Sequence, residues 1–227
     1  LWRVGPDFAE HDSQDIWNAV CIAVRHVVDA CGGMPDQVAA IGFDATCSLV
    51  IRGEGGAPVT VSLSGEPNRD TIVWLDHRAL KEADECTQTG HAVLDNAGGV
   101  MSPEMQLPKL MWLKRHLPQS FSKMTHAFDL ADFLTWMATG STARSQCTLT
   151  CKWTYRSHMP PAWSEDFFSQ IGLAELLEKA GLPDAATPVA SRLGALTPRA
   201  AEALGLTTRC IVSAGLIDAY GGAIGVL

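Results

Sequence analysis

The sequence lacks the short motifs with which a chain by itself binds nucleotide phosphates. Neither G-x-x-x-x-G-K-[ST] nor a G-x-G-x-x-G after a strand occurs in its 227 residues. No apolar run approaches the roughly 20 residues that span a bilayer, and the opening residues do not have the pattern of a signal peptide. We therefore expect a cytoplasmic protein with no membrane partner, and no cofactor-binding phosphate loop within this chain.

Cysteine pairs and positive charge are also scarce. The seven cysteines are odd in number and include no C-x-x-C, a pattern more typical of reduced thiols than of a disulfide framework. Cys147 and Cys151 form the only close pair, and no second pair completes a tetrahedral site, so we predict no metal site. The net charge of -8 and the pI near 5.3 argue against nucleic acid as a partner.

Hydrophobic periodicity predicts helices and strands around one core. Residues 13–31 and 129–139 have apolar stripes at helical spacing. Buried strands are predicted at 38–43, 71–75 and 209–214. Residues 48–52 and 59–64 flank a turn-rich loop, which predicts an antiparallel hairpin. The pattern indicates a single α/β domain with no internal repeat.

Polar residues follow three of these strands, at Asp44-Ala45-Thr46, Asp76-His77-Arg78 and Asp218. The carboxyl ends of strands in an open α/β sheet gather at one edge, where ligands bind. A carboxylate such as Asp218, between glycines at a strand-helix junction, can accept a proton from a bound hydroxyl. The alternative for Asp218 is a helix cap.

Two further groups suit a polyol ligand but also have ordinary structural interpretations. Trp74, Asp76 and Arg78 can share one side of a strand end, although a core tryptophan beside a surface ion pair has the same spacing. Lys152 is able to donate to sugar oxygens, or to lie over Trp153 at the surface. Polar side chains near the start of a helix are expected to be solvated cover; these are Glu104, Gln106 and Lys109.

A longer pattern runs from near the first residue to the last. It includes IVWLDHRA at 72–79, GHAVL at 90–94 and GGVMSPEMQLPKL at 98–110, with further matches at 41–47, 144–153 and 215–222. These segments resemble the FGGY family of carbohydrate kinases, especially its ribulokinase-like branch. Gln146 stands where several relatives with other substrates have an acidic residue, which favours that branch over xylulose or glycerol kinases.

The resemblance implies the actin-like, ribonuclease H-like fold and assigns roles to particular residues. It implies that residues 1–227 are most of the first, sugar-binding domain. Asp218 would be the catalytic base that takes the proton of the attacking sugar hydroxyl. The implied substrate contacts are Asp44, Ala45, Thr46, Trp74, Asp76, Arg78 and Lys152. The substrate would be a sugar, with a ketopentose such as ribulose favoured.

The resemblance also implies parts that this chain does not contain. The family's first phosphate-binding hairpin lies upstream of Leu1, and its second phosphate loop and adenosine site lie beyond Leu227. ATP and Mg²⁺ are therefore expected as cofactors bound through a missing C-terminal domain, and the chain alone is expected to be inactive. A homodimer is compatible with the resemblance, and a non-catalytic sugar sensor is the alternative function.

Overall fold

A computed structural model describes all 227 residues as a mixed α/β structure. The helices are α1 (Ser13–Ala30), α2 (Leu80–Gln88), α3 (Gln106–His116), α4 (Pro118–Lys123), α5 (Leu130–Thr139), α6 (Gln146–Lys152), α7 (Glu165–Gln170), α8 (Leu176–Lys179), α9 (Pro198–Leu204) and α10 (Asp218–Gly225). The strands are β1 (Trp2–Val4), β2 (Phe8–His11), β3 (Ala40–Ile41), β4 (Asp44–Ala45), β5 (Leu49–Arg52), β6 (Thr71–Ile72), β7 (His126–Asp129), β8 (Arg192–Ala195), β9 (Ile211–Ser213) and β10 (Leu216–Ile217).

The helix ends follow local sequence signals. The Asp12 carboxylate accepts hydrogen bonds from two backbone N–H groups in the first turn of α1. Helices α5 and α9 end at Gly140 and Gly205, whose φ angles of 73° and 68° are in the left-handed region that glycine adopts without a steric cost. None of the helices has both the length and the apolar character that crossing a membrane requires.

The strands form one large antiparallel sheet and two small sheets. The large sheet has the order β1-β2-β6-β5-β7, and every pair within it is antiparallel. In one small sheet β3 runs parallel to β9, which is antiparallel to β8. In the other, β10 runs parallel to β4. Parallel pairing therefore occurs only in the two small sheets. One of them contains β10, the strand that directly precedes Asp218.

Strand β5 separates two hydrophobic cores. Leu49 and Ile51 contribute to a core of 29 buried residues, whereas Val50 belongs to a second core of 16. All three are fully buried, because successive side chains of a strand point to opposite faces and each face here is covered. The first core includes residues of α2, α3 and α7, and the second includes residues of α1, α5 and α9.

The predicted hairpin of residues 48–52 and 59–64 is wrong for its second arm. Strand β5 forms, but residues 59–64 form no strand. The returning chain pairs only with the end of β5, through a bridge between Arg52 and Pro58 and a hydrogen bond from the Val59 N–H to the Ile51 carbonyl oxygen. The reason is that β5 already has a neighbour on each side, β6 and β7. The four residues of β7 pair in continuous register with β5, from Leu49 opposite Asp129 to Arg52 opposite His126.

Candidate functional site

The parallel pairing of β4 and β10 brings two distant parts of the sequence to one edge. Leu216 lies opposite Asp44, and Ile217 lies opposite Ala45. Because the two strands run in the same direction, the residues that follow them, Thr46 and Asp218, emerge at the same edge. This is the arrangement in which open α/β sheets form ligand crevices.

A cavity of about 770 Å³ lies at this edge. Its wall includes four of the residues predicted from the sequence to act in the site, namely Thr46, Trp74, Lys152 and Asp218. Other parts of the wall come from the α2–α3 connection and from the segment after α6, and include Glu104, Thr154, Arg156 and His158. The wall therefore offers carboxylate, ammonium, guanidinium, hydroxyl and aromatic groups to one ligand.

Asp218 is the first residue of α10 and is exposed to the cavity. Its Oδ1 accepts a hydrogen bond of 2.8 Å from the backbone N–H of Ala219, and the N-cap position itself is taken by Ile217. The carboxylate thus lies at the start of a helix, the position expected both for a proton acceptor at a strand-helix junction and for a helix cap. Its second oxygen has no protein partner, so it is free to bind a ligand hydroxyl.

Trp74 is presented to the cavity by the turn that follows β6. The residue is 39% exposed, and its backbone N–H donates to Ser48 Oγ at 3.2 Å. The fully buried Lys109 donates from Nζ to the carbonyl oxygen of the preceding residue, Val73, at 3.2 Å. Burial lowers the Lys109 pKa to about 8. The expectation that Lys109 is solvated is wrong, since it holds the backbone beside Trp74.

Lys152 is the last residue of α6 and is half-buried at the cavity wall. A cation at a helix C-terminus is favoured by the helix dipole. The Cys47 thiol lies beside it: burial raises the Cys47 pKa, and the nearby Lys152 charge acts in the opposite direction. Lys152 therefore supplies a positive group on the same wall as Asp218.

Gln106 and Asp129 support this wall from the interior. Gln106 Nε2 donates to Asp129 Oδ1 at 2.8 Å and to the Cys47 carbonyl oxygen at 3.0 Å. The indole N–H of Trp153, next to Lys152, also donates to Asp129. Burial raises the Asp129 pKa to about 7. Gln106 is fully buried, so the expectation that it forms solvated cover is also wrong.

Asp44 and Ala45 lie one step back from the cavity. Both belong to β4 and are not part of the cavity wall, whereas Thr46 and Cys47 are. The Asp44 carboxylate lies against α10, since a Cβ atom added to Gly221 would be 2.7 Å from Asp44 Oδ2. Of the predicted three-residue sugar loop, the structure brings Thr46 to the cavity and places Asp44 and Ala45 beside the helix that carries Asp218.

Asp76 and Arg78 do not reach the cavity. Arg78 donates to both oxygens of Asp76, at 2.9 and 2.8 Å, and to Glu10 and the Val61 carbonyl oxygen. Asp76 is fully buried and also accepts from the Ala9 backbone N–H at 2.6 Å. The expectation that Trp74, Asp76 and Arg78 share one side of a strand end is wrong. Asp76 and Arg78 form a buried ion pair, whereas Trp74 is exposed at the cavity.

Cys147 and Cys151 lie one helical turn apart on α6. Cys151 and Tyr220 both line the cavity. The Cys147 thiol, with further effects of Tyr220 and of the Lys152 charge, lowers the Cys151 pKa to about 6 against the opposing effect of burial, while the Cys147 pKa is raised. Sequence spacing identified the pair but not its position beside Asp218.

The Asp218 carboxylate is exposed at the cavity wall, whereas the Asp44 carboxylate lies behind it against α10. No group of three His, Cys, Asp or Glu side chains is arranged to hold a metal ion. Mg²⁺ in phosphotransferases is commonly bound through one or two carboxylates together with substrate phosphates. The residues present fit that limited contribution and do not form an all-protein metal site.

The model of the FGGY family of carbohydrate kinases, N-terminal domain, matches residues 3–225. The FGGY carbohydrate kinase domain-containing protein of Homo sapiens is 44% identical over 228 residues, which are 98% of this chain and 41% of that protein. A D-ribulokinase of Saccharomyces cerevisiae is 39% identical over 242 residues, 97% of this chain and 33% of that protein. The chain thus spans well under half of these relatives.

Solved carbohydrate kinases have the same fold over the whole chain. The xylulose kinase of Rhodospirillum rubrum has a TM-score of 0.80 at 20% identity, and the match covers 99% of this chain and 43% of that one. A ligand-bound xylulose kinase of Lactobacillus acidophilus has a TM-score of 0.77. These matches confirm the predicted actin-like fold. With the family model, they show that this chain belongs to the FGGY family of carbohydrate kinases and corresponds to their N-terminal domain.

Proposed function

We propose that the chain is the sugar-binding part of an ATP-dependent sugar kinase whose ATP-binding domain lies outside these residues. The single observation that carries the proposal is the position of Asp218, exposed on the wall of a cavity shared with Lys152, Trp74 and Thr46. A carboxylate with a free oxygen beside cationic, aromatic and hydroxyl groups is suited to orient a sugar and accept one proton from it.

In this proposal the chain contributes orientation and proton transfer. Lys152 and Thr46 bind sugar oxygens, and the Trp74 indole covers an apolar face of the sugar. Asp218 accepts the proton of the hydroxyl that attacks the γ-phosphate of ATP. Mg²⁺, when bound with ATP, would supply neutralisation of the charge that develops on the transferred phosphoryl group. Holding the hydroxyl in line with the phosphate accounts for much of the rate increase in this type of reaction.

Asp44, Ala45, Asp76 and Arg78 have supporting roles in the proposal. Asp44 and Ala45 position the first turn of α10 through the β4–β10 pair. The Asp76–Arg78 ion pair anchors the turn that carries Trp74. We propose these indirect roles because the side chains do not line the cavity, and a buried ion pair with every oxygen engaged has little capacity for a ligand.

A ketopentose is the favoured substrate. The support is the 39% identity to a D-ribulokinase and the 29% identity to a protein named ribulokinase from Shouchella clausii. A coupled ATP-consumption screen of the complete protein against ketopentoses, hexoses and alditols tests this. We expect ATP turnover only when a sugar is added, with a ketopentose the best substrate. Tight sugar binding without turnover of any sugar would instead support a non-catalytic sensor.

A further inference from the structure

Asp129 occupies the N-cap position of α5 without capping that helix. An aspartate at this position usually accepts a hydrogen bond from a backbone N–H of the first turn, as Asp12 does for α1. The Asp129 carboxylate makes no such bond to α5, and the residue is only 1% exposed and does not line the cavity. Its two oxygens instead accept hydrogen bonds from side chains of other elements, so the carboxylate serves contacts outside its own helix.

The two oxygens of Asp129 connect two segments of the cavity wall. Oδ1 accepts from Gln106 Nε2, which also donates to the carbonyl oxygen of Cys47, a residue that lines the cavity. Oδ2 accepts from the indole N–H of Trp153, which directly follows Lys152 and ends α6. One buried carboxylate therefore joins the segment after β4 to the end of α6.

The hydrogen bond to Trp153 fixes the orientation of the last turn of α6. Trp153 is 1% exposed, and its backbone N–H donates to the Leu149 carbonyl oxygen at 3.1 Å, which continues the helical pattern. Successive residues of a helix project about 100° apart around its axis, since 3.6 residues make one turn. Holding the Trp153 indole in the core therefore fixes the side of α6 from which Lys152 projects, and Lys152 lines the cavity.

Stability alone does not account for a carboxylate at this position. Burial and then the charge of Asp132, three residues further along the chain, raise the Asp129 pKa to about 7. The hydrogen bonds from Trp153 and Gln106 and the charge of Lys109 act in the opposite direction. Burying a charged group costs free energy even where hydrogen bonds compensate part of that cost. A carboxylate differs from an apolar side chain in presenting acceptor oxygens at two fixed positions, and here it places two donors that border the cavity.

We propose that Asp129 is a positioning residue of the sugar site, which holds Trp153 through its indole N–H and thereby fixes the direction of Lys152. The inference rests on the proposed function and adds to it a residue that does not touch the sugar. A lysine has a flexible four-carbon stem, and ordering it on binding costs side-chain entropy. A helix end that is already fixed lowers this cost, because the ammonium group starts from a narrower range of positions.

A double-mutant cycle in the complete protein tests whether Asp129 and Trp153 act through Lys152. Trp153→Phe removes the indole N–H and keeps an aromatic ring in the core. Asp129→Asn replaces one of the two acceptor oxygens by a donor. Each substitution is made in the wild type and in a Lys152→Met background. Titration calorimetry measures the binding of D-ribulose, L-ribulose and D-xylulose, and urea denaturation without sugar measures the free energy of unfolding.

Asp132→Asn is the matched control, because Asp132 is also a buried carboxylate that anchors α6. It accepts hydrogen bonds from the Ser145 backbone N–H at 2.9 Å and from the Thr148 hydroxyl at 2.6 Å. These contacts are at the start of α6, and neither Ser145 nor Thr148 lines the cavity. The control therefore weakens the anchoring of the same helix at the end away from Lys152.

We expect Trp153→Phe and Asp129→Asn each to weaken binding of the best of the three sugars about three- to tenfold when Lys152 is present. In the Lys152→Met background the same substitutions should change the affinity by less than about twofold, because the group that they position is gone. Asp132→Asn should lower the free energy of unfolding and bind sugar like wild type.

Wild-type affinity in Trp153→Phe would overturn the inference while leaving the proposed function intact. Equal losses with and without Lys152 would also overturn it, because the effect would then not pass through Lys152. A loss in Asp132→Asn as large as in Asp129→Asn would overturn it as well, since general loosening of α6 would explain both. If wild type binds none of the three sugars, the proposed function fails, and the role of Asp129 fails with it.

Discussion

At the scale of single residues, the cavity wall contains a thiol of unusual acidity. The neighbouring Cys147 thiol, Tyr220 and the Lys152 charge together lower the Cys151 pKa to about 6. Burial raises the pKa of four other thiols; these are Cys21, Cys47, Cys86 and Cys210. Since the thiolate is the nucleophile, Cys151 is expected to react first with an alkylating agent near neutral pH.

We predict that iodoacetamide labels Cys151 with a rate that is half-maximal near pH 6 and level above about pH 7, because the lowered pKa makes the thiolate fully populated there. Peptide mass spectrometry across pH 5 to 9 measures this rate. Cys147→Ala removes the largest cause of the lowered Cys151 pKa and should move the midpoint upward. A wild-type rate that keeps rising through pH 9, as for an ordinary thiol, would contradict the assigned contacts.

Positions at the cavity wall were predictable from the sequence where they depend on a strand end, as for Asp218 and Thr46. They were not predictable for Asp76 and Arg78, which were expected to share a side with Trp74. Strand β6 ends at Ile72, and a hydrogen bond from the Asp76 N–H to the Val73 carbonyl oxygen closes a turn. The two-residue alternation of a strand therefore no longer applies after residue 72.

At the scale of elements, the packing of α10 against β4 depends on residue 221 being a glycine, which has no side chain. A Cβ atom at Gly221 would lie 2.7 Å from Asp44 Oδ2, whereas one at Gly222 would meet nothing within 4 Å. Alanine is favoured over glycine inside a helix by about 0.5–1 kcal/mol. The two adjacent glycines of α10 are thus expected to respond differently to the same substitution.

We predict that Gly222→Ala raises the free energy of unfolding by up to about 1 kcal/mol, and that Gly221→Ala raises it less or lowers it, since Asp44 must move. Urea denaturation measures both. In an Asp44→Ala background the two substitutions should have equal effects, because the obstructing carboxylate is gone. If the two substitutions still differed in that background, the Asp44 carboxylate would not be the cause of the unfavourable effect of Gly221→Ala.

Elements with strong local signals were predictable, and those defined by distant pairing were not. Residues 13–31 and 129–139 have an apolar stripe, and the second range ends at a glycine, so the predicted helices match α1 and α5 closely. The second hairpin arm at 59–64 did not form because β6 pairs with Leu49 and Val50 on the side of β5 that this arm would need. Nothing local in the sequence reports that pairing, which depends on tertiary contacts.

At the scale of the whole molecule, the sheet and its two cores bring segments that are far apart in sequence to one cavity. Thr46, Trp74, Lys152 and Asp218 lie on four separate segments. The carboxyl-end rule for α/β sheets indicated that polar residues after strands converge. It could not indicate that the segment after α6 closes the wall, because the position of that segment depends on tertiary packing.

Phosphoryl transfer in the proposed kinase depends on Asp218 as the base, and a rate comparison in the complete protein tests this directly. Asp184, exposed and outside the cavity wall, provides the matched control. We predict that Asp218→Asn lowers kcat for the best ketopentose about 10²- to 10⁴-fold with sugar affinity nearly unchanged, and that Asp184→Asn keeps the wild-type rate. Turnover by Asp218→Asn within a few-fold of wild type would contradict the assignment of the base.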